Sequence, residues 1–319
     1  MRVLVTGSGG FLGGHLVKKL IQQGFEVRAA DIKPLDEWFQ VHRESENIDN
    51  TNLRLKDNCD KVSKNIDLIF NLACDHGGIG HIMNNHYECM KDVLINSHLI
   101  DSAVENNVSK YLYTSSACVY NTNLQLDAEN EIKLKEQDAY PALPDSQYGW
   151  EKLYSEMVCK QYMIKHGIKI FLPRIHGCYG THNHFNDGKE KAPNALTRKS
   201  LEAIKNGDMN INIWGDGNQR RSFMYFEDCI NGLIKLSESN FHEPINLGSS
   251  ASVSINDCVD ALERLLKTKF NRIYDKSATQ GVRSRNSDNT LIKKILNWEP
   301  DLDIDYGFGN LIEHIKPKI

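Results

Sequence analysis

Short apolar runs alternate with amphipathic stretches through the first half of the chain. The runs RVLVTG, EVRAADI, LIFNLA and KYLYTSS are typical of buried parallel strands. The stretches FLGGHLVKKLIQQG and KDVLINSHLIDSAVENN lie between them and repeat apolar residues at helical spacing. Because parallel strands need crossover helices, this alternation predicts an α/β fold of Rossmann type with a doubly wound parallel sheet.

The pattern loosens after about residue 175. A long helix is predicted from SQYGWEKLYSEMVCKQYMIKHG, followed by the strand KIFLPRIHG and the polar loop CYGTHNHFNDGKEKAPNA. Further elements are predicted as a helix around 193–206, a strand at INIWG and a helix near 226–239. We therefore predict a large N-terminal domain over residues 1–174, to which a segment around 214–240 returns, and a smaller C-terminal α/β lobe that occupies mainly residues 175–319.

Composition narrows the class of protein. The net charge is only −4 and charges of both signs are mixed, which argues against a nucleic-acid partner. No apolar run reaches the length of a membrane span, and MRVLVTGSGG leads directly into a strand without a signal peptide. The eight cysteines form no CxxC pair, so we expect reduced thiols in a cytoplasmic protein.

The segment VLVTGSGGFLGGHL indicates a dinucleotide site. Gly7, Gly10 and Gly13 stand between a strand and a helix, where they permit a tight turn, close approach to a pyrophosphate and close helix packing. Asp31 ends the next strand, where a carboxylate accepts hydrogen bonds from the adenosine ribose. That acid favours NAD over NADP, because it would repel a 2′-phosphate. The predicted cofactor contacts also include Phe11, Leu12 and Ala73.

The segment YGWEK offers an acid/base pair. Tyr148 and Lys152 are four residues apart and therefore share a helix face. A phenol has a reference pKa near 10, and a neighbouring ammonium favours its ionised form. Such a pair occurs by chance in many helices, but here it follows a glycine-rich turn and the strand-end serines of TSS.

These three motifs together resemble the extended short-chain dehydrogenase/reductase family, whose members mostly remodel nucleotide sugars. The resemblance covers essentially the whole chain. The segments SSACVY, GKEKAP, WGDGNQRRSF, INLGS and GVRSRNSDN are similar to a subgroup of epimerases that act on a GDP-linked hexose at C3 and C5. The resemblance implies that residues 1–174 bind NAD and that residues 175–319 mainly bind the nucleotide sugar.

The resemblance also implies roles for individual residues. Tyr148 and Ser116 would act at the C4 hydroxyl during hydride transfer, while Cys118 and Lys191 would be the base and acid that exchange protons at C3 or C5. A thiol and an ammonium have reference pKa values near 8.5 and 10.4, which their surroundings can move towards neutrality. The predicted substrate contacts are Gly78, Lys199, Gln219, Arg221 and Arg283.

Three departures from the family pattern bear on the substrate. Gly177 stands where the family commonly has an asparagine that contacts the nucleotide sugar, Thr181 replaces a usual proline, and Asn52 replaces a frequent aspartate. The substrate is therefore less closely specified than the fold. A metal site is not expected, although one could be imagined from His176, Cys178, His182 and His184, because redox epimerisation needs no metal.

Several alternatives remain open from the sequence. Within the family these are a 4-epimerase, a 4,6-dehydratase and a 4-dehydrogenase, although Ser116-Ala117-Cys118 lacks the acidic residues that dehydratases usually carry there. A non-catalytic NAD-binding scaffold is a different class, against which the Tyr148 and Lys152 pair argues. By analogy with the family we predict a homodimer, formed by the helices near 91–107 and 146–166.

Overall fold

The computed structural model describes all residues from 1 to 319. Its helices are α1 (Phe11–Gln22), α2 (Lys56–Ser63), α3 (Ile79–Asn84), α4 (His86–Lys91), α5 (Val93–Glu105), α6 (Gln147–His166), α7 (Ala192–Asn206), α8 (Phe226–Glu238), α9 (Ile255–Leu266), α10 (Thr290–Leu296) and α11 (Ile304–Ile315). None of these helices is both long enough and apolar enough to cross a membrane.

The strands of the large sheet come mostly from the first half of the chain, and short strands build three smaller sheets. The strands are β1 (Arg2–Thr6), β2 (Glu26–Ala30), β3 (Glu46–Ile48), β4 (Leu68–Asn71), β5 (Lys110–Tyr113), β6 (Ser115–Ser116), β7 (Lys133–Leu134), β8 (Lys169–Ile175), β9 (Cys178–Tyr179), β10 (Asn210–Trp214), β11 (Arg220–Arg221), β12 (Met224–Tyr225), β13 (Pro244–Leu247), β14 (Val253–Ser254), β15 (Asn271–Asp275) and β16 (Ser284–Ser287).

The large sheet is parallel, in the order β13-β8-β5-β4-β1-β2-β3, with β6 added beside β8. The chain first extends the sheet from β1 to β3 and then returns to extend the opposite side from β4. The strand order therefore reverses between β1 and β4, where the carboxyl ends of the strands leave a crevice. The predicted Rossmann-type fold is confirmed.

Alternating side chains of the strands enter two separate cores. Val3 and Val5 pack on one face of the sheet with residues of α1, α8 and α10. Leu4 points to the other face, where residues of α2, α5 and α6 complete the second core. Because both faces are covered, the strands read as continuous apolar runs in the sequence.

A third core lies in the C-terminal lobe, between α7, α9, α11 and the sheet formed by β10 and β15. Two segments from this half of the chain return to the large sheet. Helix α8 packs against α1, and β13 pairs with β8. The boundary between residues 174 and 175 itself stays a prediction.

Candidate active site

A cavity of about 920 Å³ opens at the carboxyl ends of the parallel strands. One wall is formed by the glycine-rich turn, the end of β2 and the segment that follows β4. The opposite wall comes from the loop before α7 and from strands of the C-terminal lobe. The cavity thus lies at the reversal of strand order, the usual position of a ligand in an open α/β sheet.

The glycine-rich turn is shaped to receive a phosphate group. Gly7 has a φ of +71°, and a side-chain carbon built on Gly13 would lie 2.1 Å from the Gly7 carbonyl oxygen. Helix α1 begins after Gly10 without a side-chain cap and without an acidic residue in its first turn. Its free N–H groups and positive dipole end therefore suit the pyrophosphate of NAD.

Asp31 lies beside this turn, at the end of β2. Its carboxylate accepts hydrogen bonds from the Gly9 and Lys33 backbone N–H groups, at 2.9 and 3.0 Å. Each oxygen has a further lone pair for a ribose hydroxyl. Ala73 and the first residues of α1, Phe11 and Leu12, line the same part of the cavity. The predicted cofactor contacts in the turn and at the strand ends are therefore brought together.

Tyr148 lies in the cavity wall, in the first turn of α6. Ser146 caps this helix by accepting the Gly149 N–H. The Lys152 ammonium lies 5.4 Å from the centre of the Tyr148 ring. Lys152 is buried behind the tyrosine and does not line the cavity itself.

Burial and charge act in opposite directions on this pair. Desolvation raises the pKa of Tyr148 well above its usual value, and the Lys152 charge opposes that shift. Burial lowers the pKa of Lys152, but negative charge nearby, first that of the Glu151 carboxylate 3.4 Å from the ammonium, raises it above its usual value. The phenol therefore keeps its proton beside the charged Lys152, and a positive group at the nicotinamide position would favour the phenolate.

The predicted strand KYLYTSS is interrupted at Thr114. Beyond it, β6 pairs with β8 and ends in a short 3₁₀ turn over Ala117–Val119. The Ser116 hydroxyl accepts the Cys118 backbone N–H at 3.1 Å, which fixes this turn. A side-chain carbon on Gly149 would lie 2.3 Å from the Cys118 carbonyl oxygen, so only glycine lets α6 approach this closely. Ser116 and Cys118 consequently face the same cavity as Tyr148.

Arg285 contacts the Cys118 thiol from the C-terminal lobe. One guanidinium N–H group donates to Cys118 Sγ at 3.0 Å, and others donate to Gln125 and Asp145 at 2.6 Å each. Burial raises the pKa of Cys118, while the Arg285 charge lowers it and the Asp145 charge raises it further. In the resting cavity the thiol is therefore protonated and has one cation in place to stabilise a thiolate.

Lys191 reaches the cavity from the loop before α7. Its ammonium donates to the Cys178 carbonyl at 3.0 Å. The segment after β4 supports this loop, since the Gly78 N–H donates to the Lys189 carbonyl at 2.9 Å. A side-chain carbon on Gly78 would lie 2.3 Å from the Glu190 carbonyl oxygen. Gly78 thus lines the cavity and also allows the two segments to meet beside Lys191.

The predicted diphosphate contacts are partly brought together. Arg221 and Lys199 line the cavity and donate only to backbone carbonyls, with no carboxylate partner. Burial lowers the pKa of Arg221 to about 10 and also lowers the pKa of Lys199. Gln219 lines the same wall, with its buried Oε1 unpartnered. These groups leave positive charge available for an anionic ligand.

Arg283 lies outside the cavity lining, in contrast to the prediction. It precedes β16, and its guanidinium forms an ion pair with Asp216 at 2.9 Å. Arg285, two residues further on, is the arginine of this segment that enters the cavity. Sequence reasoning missed Arg285 and its partner Asp145. The segment GVRSRNSDN did point to this region, but which of its arginines enters the cavity depends on their partners elsewhere in the chain, Asp216 for Arg283 and Asp145 for Arg285.

Gly177 and the histidines near it also have structural explanations. Gly177 has a φ of +32°, and a side-chain carbon there would lie 2.7 Å from the Ser222 carbonyl oxygen. An asparagine would therefore not fit without movement of the backbone. The His176 Nε2 is 2.9 Å from the Asn246 side-chain oxygen, while His184 pairs with Asp187. No group of His, Cys, Asp or Glu side chains is arranged to hold a metal ion.

Comparisons with known proteins show the family of this chain. The model of the NAD dependent epimerase/dehydratase family matches residues 3–248. GDP-mannose 3,5-epimerase 1 of Oryza sativa subsp. indica is 38% identical over 320 residues, covering 100% of this chain and 82% of that protein. The corresponding figures for GDP-mannose 3,5-epimerase of Arabidopsis thaliana are 37%, 100% and 83%.

A solved structure extends the comparison to the fold. The UDP-glucose 4-epimerase of Thermotoga maritima, determined with UDP-glucose, has a TM-score of 0.86 and 20% sequence identity. The match covers 100% of this chain and 99% of that one. At this identity the likeness establishes a common fold and no more.

Proposed function

Because this chain belongs to the NAD dependent epimerase/dehydratase family, we propose that it epimerises a GDP-hexose, with GDP-mannose as the first candidate, at C3, C5 or both. The observation that carries this proposal is the meeting of Cys118 and Lys191 with Tyr148 and Ser116 in one cavity. The first pair supplies two proton-exchanging groups that hydride transfer alone does not need. The relatives at 37–38% identity are named for the same chemistry.

Tyr148 and Ser116 are proposed to act on the C4 hydroxyl of the sugar. NAD held by the glycine-rich turn and Asp31 would supply reversible hydride transfer at C4 and would not be consumed. Tyr148 accepts the hydroxyl proton as the C4 ketone forms and gives it back on reduction, while Ser116 hydrogen-bonds the same oxygen. The buried Lys152 charge favours the phenolate during this step.

Cys118 and Lys191 are proposed to exchange the proton next to the ketone. The C3 and C5 hydrogens become acidic because the electron pair left behind is delocalised onto the C4 oxygen as an enolate. One group removes the proton and the other delivers a proton to the opposite face, which inverts the carbon. For Cys118 to be the base it must first lose its own proton, and the Arg285 contact favours that ionisation.

The test is deuterium uptake from D₂O into GDP-mannose. The proposal predicts uptake at C3, C5 or both, with no net accumulation of NADH. Uptake should fall about 10²–10⁴-fold in Cys118→Ala, the usual contribution of a general acid or base. Release of a 6-deoxy sugar product would indicate a dehydratase, and a wild-type protein that binds GDP-mannose without exchange would contradict the proposal.

We also propose a cytoplasmic homodimer. All eight cysteines are free, as expected of a protein kept in a reducing compartment. Exposed apolar residues cluster on α4, α5 and α6, where a soluble monomer would rarely leave them: Tyr87, Met90, Leu94, Trp150, Tyr154 and Met157. Equivalent helices of two copies could cover one another through this surface, and the molecular mass in solution tests that arrangement.

A further inference from the structure

His76 lies in the cavity wall, in the segment CDHGGIGHI that follows β4. Gly78 of this segment is a predicted substrate contact, whereas His76 has no predicted role. The imidazole faces the tyrosine of the proposed hydride-transfer step, because the centres of the His76 and Tyr148 rings are 5.1 Å apart and their planes are inclined by 30°. A titratable side chain thus lies against Tyr148 without a role in the scheme above.

The His76 ring is unpartnered within the protein. Its Nδ1 atom is enclosed and has no hydrogen-bond partner. The nearest carboxylate in sequence, Asp75, is 3.0 Å from His81 and 3.5 Å from Lys189 instead. Burying a lone pair without a donor costs less free energy than burying an N–H group without an acceptor. The enclosed Nδ1 is therefore the unprotonated nitrogen, and Nε2 carries the proton. The ring therefore offers an N–H group that no protein acceptor uses.

The surroundings keep this imidazole neutral. Burial lowers the pKa of His76 well below its usual value, and the Lys191 and Lys152 charges lower it further. A neutral imidazole remains a hydrogen-bond donor without adding a charge to the cavity. Neutral histidine is known to polarise a carbonyl in this way in enzymes that form enolates.

The backbone around His76 is held in place. The Asp75 N–H donates to the Asp92 carboxylate, and the Gly78 N–H donates to the Lys189 carbonyl at 2.9 Å. These two bonds bracket His76 and tie it to the loop that carries Lys191. A donor fixed before the reaction stabilises developing charge without having to reorganise.

We propose that His76 donates a hydrogen bond to the C4 oxygen of the hexose and stabilises the enolate formed when the neighbouring carbon loses its proton. This inference rests on the proposed function. In that step the C–H electron pair becomes the new C=C bond, the carbonyl π pair moves to the C4 oxygen, and the proton passes to the base. The hydrogen bond from His76 stabilises the negative charge on the C4 oxygen, and His76 keeps its own proton. We therefore expect His76 to affect proton exchange more than hydride transfer.

The test compares His76→Leu with His76→Gln, which keeps a polar N–H group at similar reach. We expect His76→Leu to lower deuterium uptake at C3 or C5 about 10²-fold, as for loss of one oxyanion donor, while NADH formation in a single turnover changes less than about threefold. Deuterium uptake in His76→Gln should be at least tenfold faster than in His76→Leu. His81→Gln is the matched control, since His81 lies outside the cavity lining and is already paired.

Native exchange in His76→Leu would overturn the inference, as would an equal fall in exchange and NADH formation. A second measurement is independent of turnover. In ¹⁵N-histidine spectra of the NAD-bound protein, the signal absent from His76→Gln should move when GDP-mannose binds, and the His81 signal should not. An unmoved His76 signal in the saturated complex overturns the inference, whereas a moved signal without wild-type exchange supports the contact and contradicts only the proposed epimerisation.

Discussion

Two corners of the cavity are built in different ways. The hydride corner, formed by Ser116, Tyr148 and Lys152, is buried and comes from one strand end and one long helix. The exchange corner, formed by His76, Cys118, Lys191 and Arg285, consists of half-buried side chains on four separate segments. The first is fixed by local structure, whereas the second exists only when distant parts of the chain meet.

The difference suggests where specificity resides. Oxidation at C4 would begin each of the reactions considered for this family, whether epimerisation, dehydration or dehydrogenation. One arrangement of tyrosine, lysine and serine therefore suits all of them. Which proton is exchanged depends on groups carried by loops and by the C-terminal lobe, and these can vary without disturbing the sheet. The two corners should therefore respond differently to substitution.

The largest expected effect is in the hydride corner. Tyr148→Phe removes the hydroxyl that takes the C4 proton, so NADH formation and deuterium uptake should both fall about 10²–10⁴-fold. Exchange falls as well because the C3 and C5 protons become acidic only after C4 is oxidised. Absorbance of NADH in a single turnover and mass spectrometry of the sugar measure the two steps.

Tyr306→Phe is the control for this substitution, because Tyr306 is exposed on α11 and lies outside the cavity lining. It should leave both rates unchanged. If Tyr148→Phe still exchanged protons while NADH formation was lost, the two corners would be independent and the proposed order of steps would be wrong.

The next largest effect is on stability and concerns the buried ion pair that joins α6 to the large sheet. Glu156 on this helix forms a bidentate ion pair with Arg174 of β8, at 2.9 and 2.7 Å, and both side chains are buried. Glu156→Gln leaves the Arg174 charge uncompensated in the interior and should lower the free energy of unfolding by about 3–5 kcal/mol. Urea denaturation measures this loss.

Asp216→Asn is the matched control, because it removes the partner of Arg283 at a site where both side chains are about a third exposed. Exposed pairs contribute about 0–1 kcal/mol, so the urea midpoint should hardly move. Equal losses in the two variants would contradict the expectation that the buried pair supports α6 more strongly than an exposed pair supports the surface.

The sequence could predict the hydride corner because its signals are local. Tyr148 and Lys152 lie four residues apart on one helix, and Ser116 ends a strand that the apolar run before it predicts. The exchange corner required contacts across the chain, such as the one between Cys118 and Arg285, which are 167 residues apart. The resemblance pointed to Cys118 and Lys191, but the choice between Arg283 and Arg285 depends on contacts with Asp216 and Asp145, which are distant in sequence.

The smallest expected effect concerns the contact between Arg285 and Cys118 in the exchange corner. It shows whether Arg285 acts through its charge or only through its position. Arg285 lowers the pKa of Cys118, so Arg285→Gln should raise it, and the uncompensated Asp145 charge acts in the same direction. Exchange by a thiolate base falls as pH drops through that pKa, and the acid limb of the exchange profile should therefore move to higher pH. A shift of one unit reduces exchange about tenfold on that limb.

Arg285→Lys keeps the positive charge and should move the limb less than Arg285→Gln does. The profile of NADH formation, which belongs to the hydride corner, should keep its position in both variants. An exchange profile that drops equally at every pH would mean that Arg285 only positions the substrate, because loss of a positioning contact does not change the proton affinity of the thiol. A shift confined to exchange would instead show that a residue of the C-terminal lobe sets the charge state of Cys118.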